Sequence, residues 1–228
     1  MTPDAAQIVD PYHEPKYVLF CGVTGSGKTH LAAAYAEQIA RPFVVILHVS
    51  PDLVYLSRFP AEKTKLVSLD SSAHIVRPEV FDTVRASGIR YLYLSAYDLT
   101  PAQIREMLSS LVLSAKASQD LALVIDEAHT FARRGYAPPS LVGFSRGARR
   151  WGVDIAWVTQ RYVDIDPDIR TNFGYMALFR MPQELDREKL ATEVNRPDLD
   201  ADALAEIPLR SFVFCDLRIG GVTAPQTL

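Results

Sequence analysis

Gly22-Val23-Thr24-Gly25-Ser26-Gly27-Lys28-Thr29 stands between the apolar run Tyr17-Val18-Leu19-Phe20-Cys21 and the helix-forming stretch from His30 to Ile39. It fills every position of the G-x-x-x-x-G-K-[ST] pattern, a phosphate-binding loop joining a strand to a helix. The glycines let successive N–H groups turn inward around an anion, and the next helix points its positive end at the same place. Lys28 supplies a mobile charge for β- and γ-phosphates, and Thr29 offers a hydroxyl to Mg²⁺. The expected nucleotide contacts are Gly22, Thr24, Gly25, Ser26, Gly27, Lys28, Thr29 and His30, with ATP and Mg²⁺ as the ligands.

Outward from that loop, 228 residues suit one α/β domain over 1–228, with 1–15 as an N-terminal extension and 221–228 as a C-terminal tail. The longest apolar runs are strand-sized, short of the roughly 18–20 residues that span a bilayer, so no membrane span is expected. Met1 to Pro15 carries Asp4, Asp10 and Glu14 and lacks the basic start and apolar core of a secretory signal, which implies a cytoplasmic protein. Cys21 and Cys215 each sit inside an apolar run and read as buried structural thiols. His30, His48, His74 and His129 have no zinc-like spacing.

After the loop, Leu31 to Ile39 reads as a helix ended by Arg41-Pro42, and Phe43 to His48 as a strand, completing a first β-α-β unit. Leu66 to Leu69 and His74 to Val76 are short apolar runs that decorate the sheet. Ile89 to Ser95 is strand-like. Thr100-Pro101-Ala102-Gln103 has the form of a capped helix start, and Ile104, Leu108, Leu111 and Ala115 mark the buried stripe of a helix reaching Lys116. Leu121-Ala122-Leu123-Val124-Ile125 is an unbroken apolar run, the pattern of a central parallel strand covered on both faces. Further strands are expected at Asp154 to Thr159, Tyr175 to Phe179 and Ser211 to Leu217, with a helix over Pro182 to Val194.

Three features supply chemistry beyond the loop. Asp126-Glu127 closes the central strand, where ligands of parallel sheets bind. Nucleotide hydrolysis needs an acid for the metal and a base for the attacking water, so Asp126 is assigned to Mg²⁺ and Glu127 to water. Gln160 ends the next strand, where its amide can sense the γ-phosphate. Between Ala128 and Val153 lie Arg133, Arg134, Arg146, Arg149 and Arg150 with no acidic residue. Such a basic block inside a chain of net charge -3 calls for a phosphate-bearing partner.

These residues resemble the HerA/FtsK superfamily of P-loop motor ATPases. The likeness rests on Gly22 to Thr29, on Leu123-Val124-Ile125-Asp126-Glu127-Ala128-His129, and on Ser145 to Val153 followed by Trp157-Val158-Thr159-Gln160-Arg161. It implies a three-layer RecA-like α/β fold with a central, mostly parallel sheet, and assembly as a homo-oligomeric, commonly hexameric, ring. It also makes Arg149 the likeness of an arginine finger acting on the neighbouring subunit, with Arg146 and Arg150 as fallback choices. The chain is compact enough to resemble the genome-packaging ATPases of tailless icosahedral viruses with an internal membrane. That implies translocation of double-stranded DNA into a preformed capsid, docking on capsid vertex proteins, and a place in the host cytoplasm or the virion. Filamentous-phage assembly, a secretion-type ATPase or a HerA-like DNA-processing motor of a mobile element are the alternatives. Against a helicase stands the lack of room for a second RecA domain, and against a nucleotide switch stands Glu127.

Overall fold

A computed structural model describes residues 16–49, 52–196 and 199–228; the extension expected over 1–15 lies outside them. The chain runs β1 (Tyr17–Cys21), α1 (Lys28–Gln38), β2 (Phe43–His48), α2 (Leu53–Arg58), β3 (Thr64–Ser68), α3 (Pro78–Ala86), β4 (Tyr91–Ser95), α4 (Pro101–Ser118), β5 (Leu121–Ile125) and α5 (Ala128–Phe131). It continues through α6 (Pro139–Gly147), a 3-10 turn (Ala148–Trp151), β6 (Val153–Thr159), α7 (Pro167–Arg170), β7 (Tyr175–Phe179), α8 (Glu184–Val194), α9 (Ala201–Glu206), β8 (Ser211–Asp216), β9 (Gly221–Val222) and β10 (Gln226–Thr227).

The strands form one sheet in the order β10-β8-β7-β1-β6-β5-β2-β4-β3, with β9 on β8. From β7 to β3 every pairing is parallel, and β8 pairs antiparallel with β7, β9 and β10. The mostly parallel α/β architecture is as expected, with one refinement. β1 and β2 are consecutive in sequence yet stand apart, because β6 and β5 insert between them.

Strand alternation builds the two cores. Tyr17, Leu19, Cys21, Phe43, Val45, Leu47, Leu121, Leu123 and Ile125 face one side, where α3, α4 and α6 contribute Phe81, Met107, Leu108, Leu111 and Phe144. Val18, Phe20, Val44, Ile46, Ala122 and Val124 face the other, against Leu31, Tyr35, Tyr55 and Phe59 of α1, α2 and the turn after it. Both faces are therefore covered, which is why the central strands read as continuous apolar runs.

In α4, Thr100 Oγ1 accepts from Gln103 N at 3.4 Å and Gln103 Oε1 accepts from Thr100 N at 3.0 Å, closing the expected capping box. The buried stripe is Met107, Leu108, Leu111, Val112 and Ala115, and Ile104 is only partly buried. His74 to Val76 forms no strand; Val76 N instead donates to Ser110 Oγ at 2.9 Å. Both cysteines are buried free thiols. No helix among the described residues is long and apolar enough to cross a membrane.

Candidate nucleotide site

The phosphate loop is held where β1 gives way to α1. Gly22 N donates to Thr159 O at 3.2 Å and Val23 N to Arg180 O at 3.0 Å, so the ends of β6 and β7 pin its start. A Cβ on Gly22 would overlap that of Phe179. Gly27 caps α1 with φ 102°, a left-handed angle that disfavours a side chain, and a Cβ there would overlap the Leu228 side chain. Ser26 is buried and its hydroxyl has no hydrogen-bond partner among the described residues, an orphan of the kind a phosphate oxygen satisfies. Lys28 is 5% exposed, with Nζ 3.4 Å from Val23 O. Burial lowers its pKa, while the carboxylates of Glu127 and Asp126 oppose that shift.

Thr29, next to Lys28 in the chain, reaches Asp126, so the acids lie at the phosphate-loop end of the sheet. Asp126 is 1% exposed; its Oδ2 accepts from the Tyr55 hydroxyl at 2.9 Å and lies 3.4 Å from Thr29 Oγ1. Its Oδ1 accepts from Glu127 N at 2.7 Å. Burial raises the Asp126 pKa, opposed by His48 and by these hydrogen bonds. His48 Nε2 stands 4.0 Å from Asp126 Oδ2, and His48, Asp126 and Glu127 each present a donor atom within 4.8 Å of the others. Two oxygen donors on adjacent elements, backed by buried charge, fit a hard divalent cation.

Glu127 has φ 51°, left-handed backbone that costs a non-glycine residue about 1–2 kcal/mol. That conformation aims its carboxylate at Gln160, whose Nε2 donates to Glu127 Oε1 at 3.0 Å. A carboxylate only accepts, which fixes the amide's orientation and leaves Gln160 Oε1 to accept from Thr24 Oγ1 at 2.6 Å. Gln160 thus joins the phosphate loop to the acid. His129 Nδ1 lies 3.4 Å from Glu127 Oε2, so this histidine touches the site.

A cavity of about 690 Å³ extends from Thr24, Lys28 and Thr29 past exposed His30 to Val54 and Arg58, and is walled on another side by Arg210 and Leu228. Tyr55, His48 and Leu228 belong to this site without belonging to a motif. His48 had one signal, its place at the C-terminal end of a buried strand. Leu228 arrives because β10 pairs with β8 and Leu228 N donates to Arg210 O at 2.9 Å, so residues 221–228 are a strand-forming return rather than a plain tail.

The arginine block is not one patch. Arg133 lies over the Tyr136 ring, Arg146 pairs with Asp168 at 2.8 Å, and Arg150 is exposed. Arg149 is exposed on the turn before β6, at the opposite end of that strand from Gln160. A strand of 7 residues puts about 20 Å between those ends, too far for Arg149 to meet a phosphate on its own loop.

The chain belongs to the AAA domain family, matched over residues 12–142. No curated protein sequence matches it. Its fold is shared with the genome packaging NTPase B204 from Sulfolobus turreted icosahedral virus 2, in complex with ATP-gammaS, at TM-score 0.67 and 14% identity over 94% of this chain and 98% of that one. It is likewise shared with B204, the DNA-packaging ATPase from Sulfolobus Turreted Icosahedral Virus, at TM-score 0.65 and 17% identity over 94% and 99%. VirB4 of Thermoanaerobacter pseudethanolicus matches at TM-score 0.61 and 13% identity over 92% and 87%. Family and fold together agree with the expected P-loop ATPase, and they support nucleotide binding and ATPase activity.

Proposed function

We propose that this chain is an ATP-hydrolysing DNA translocase of the HerA/FtsK superfamily that packages a double-stranded viral genome into a preformed capsid. The observation that carries the reading is Gln160, hydrogen-bonded at once to Thr24 of the phosphate loop and to Glu127. Such a bridge lets the state of the γ-phosphate alter the acid that handles water. The functions of the two B204 relatives, genome packaging and DNA packaging, support DNA as the polymer.

The loop amides and Lys28 hold the triphosphate, and Ser26 donates its hydroxyl to a phosphate oxygen. Thr29 and Asp126 would hold Mg²⁺, which when bound neutralises charge on the β- and γ-phosphates. The Glu127 carboxylate takes a proton from a water whose oxygen attacks the γ-phosphorus, the bond from that phosphorus to the β-bridging oxygen breaks, and ADP leaves. Gln160 orients that water. Arg149 enters the site of the neighbouring copy in a homo-oligomeric ring, which makes hydrolysis depend on assembly. The single ATPase domain grips the DNA backbone through phosphates rather than bases. It docks on capsid vertex proteins, in the host cytoplasm or the virion.

The test is the ATPase rate with and without long double-stranded DNA at several salt concentrations. Stimulation that fades as salt rises is expected, because phosphate contacts release counterions. A rate indifferent to DNA at every salt would overturn the translocase reading.

A further inference from the structure

At the N-terminal end of the sheet, two arginines rather than one converge on a bare floor. Arg149 N donates to the Tyr17 hydroxyl at 2.9 Å and its guanidinium carbon lies 5.0 Å from the centre of the Tyr17 ring. Arg218, on the turn after β8, lies 4.3 Å from the centre of the Tyr175 ring. Asp216 holds its fork, with Nε 3.2 Å from Oδ1 and Nη2 3.0 Å from Oδ2. Tyr17 and Tyr175 open the neighbouring strands β1 and β7 and belong to cores on opposite faces of the sheet. The two guanidinium groups therefore reach the same edge from two sides.

Between them lies Gly174. A Cβ there would stand 3.9 Å from Arg149 Nη2 and 3.8 Å from Arg218 Cδ, so any side chain would occupy the gap. The gap opens into a cavity of about 310 Å³ whose rim includes Asn172 and Arg146. Aromatic seats fix the planes of both forks before any ligand arrives. Asp216 offsets the Arg218 charge and holds its Nε and Nη2, so an anion with several oxygens that reaches both residues accepts from the Arg149 fork and from the exposed part of the Arg218 side chain. Arg149 makes no ion pair among the described residues, and Arg218 keeps 42% of its side chain exposed even with Asp216 beside it.

We propose that Arg218 is a second trans-acting arginine, which together with Arg149 grips the terminal phosphates of the nucleotide bound by the neighbouring copy. This rests on the ring reading above. The ligand class is a nucleoside triphosphate presented by a second copy of this chain, and Gly174 is the floor that admits it.

The experiment mixes Arg218→Ala chains with Lys28→Ala chains and measures hydrolysis, alongside Arg149→Ala chains mixed in the same way. Arg218→Ala alone should hydrolyse ATP at least about tenfold more slowly, with its own affinity for ATP-γS, read by calorimetry, unchanged within twofold. Mixing should restore activity, since the Lys28→Ala chains contribute an intact Arg218. Arg218→Lys keeps the charge but not the fork and should recover only part of the rate; it carries the test if the alanine variant fails to bind nucleotide. If mixing rescues Arg149→Ala but not Arg218→Ala, the second arginine does not act in trans, and this inference falls while the ring reading stands. If neither is rescued, both fall. Loss of DNA stimulation alone, with basal hydrolysis intact, would assign the cavity to a DNA phosphate and overturn the proposal.

Discussion

The two ends of the central strands are built differently. At the C-terminal end, a chain of hydrogen bonds links the polar groups: Thr29 and Tyr55 to Asp126, Asp126 to Glu127, Glu127 to Gln160, Gln160 to Thr24. At the N-terminal end, Arg149 is tied by its backbone and seated on a ring while its fork stays exposed. One end gathers Lys28 with the carboxylates of Asp126 and Glu127, the other presents arginines, and β1 and β6 run between them. In the proposed ring, neither end is complete inside one copy. What β6 keeps about 20 Å apart within a chain, the proposed head-to-tail assembly would bring together.

Four variants probe that comparison. Arg149→Ala should cut the turnover number of the assembled protein by about 10³-fold or more while leaving ATP-γS affinity unchanged; an equal loss of both would place the arginine in its own nucleotide site. Glu127→Gln should slow the chemical step by about 10²–10⁴-fold and leave a nucleotide trapped but uncleaved, read by single-turnover hydrolysis. Lys28→Ala removes the charge that meets the β- and γ-phosphates and should weaken ATP-γS binding by about 10–150-fold, the equivalent of about 1.5–3 kcal/mol for a charge-assisted contact; calorimetry at fixed salt reads it.

The smallest effect concerns stability. Burial lowers the Lys28 pKa below its ordinary 10.5 in the folded chain. Between the lowered value and 10.5 the unfolded chain binds more protons, so the wild-type protein gains stability as pH rises through that window. Lys28→Met should flatten this rise and raise the melting temperature of the nucleotide-free protein at neutral pH by a few degrees, about 1 kcal/mol. An unchanged pH profile would mean that Lys28 is better hydrated than its burial indicates.

Much of the C-terminal end was legible because its chemistry is local. The phosphate loop lies within eight consecutive residues, and Asp126-Glu127 closes an apolar strand whose pattern is unmistakable. Gln160 was placed by the same logic of strand ends. Strand order was not legible, since nothing in β1 or β2 records that β6 and β5 come between them; parallel strands owe their neighbours to crossovers far away in sequence. β3 was obscure for a local reason, for Thr64-Lys65-Leu66-Val67-Ser68 is an edge strand with mostly exposed or half-exposed side chains. Tyr55, His48 and Leu228 each enter the site as single residues on separate elements. At the N-terminal end, Arg149 stands out in the sequence within its basic block, but the tyrosines beneath Arg149 and Arg218 look like ordinary strand residues. Only the register Val18↔Tyr175 reveals that they open adjacent strands.

Mixing Arg149→Ala chains with Lys28→Ala chains tests most directly whether the two ends meet between copies. Each variant is expected to be inactive alone, and the mixture should regain hydrolysis, because sites with an intact Lys28 then receive an intact Arg149 from next door. A mixture that stays as inactive as its parts would contradict the account.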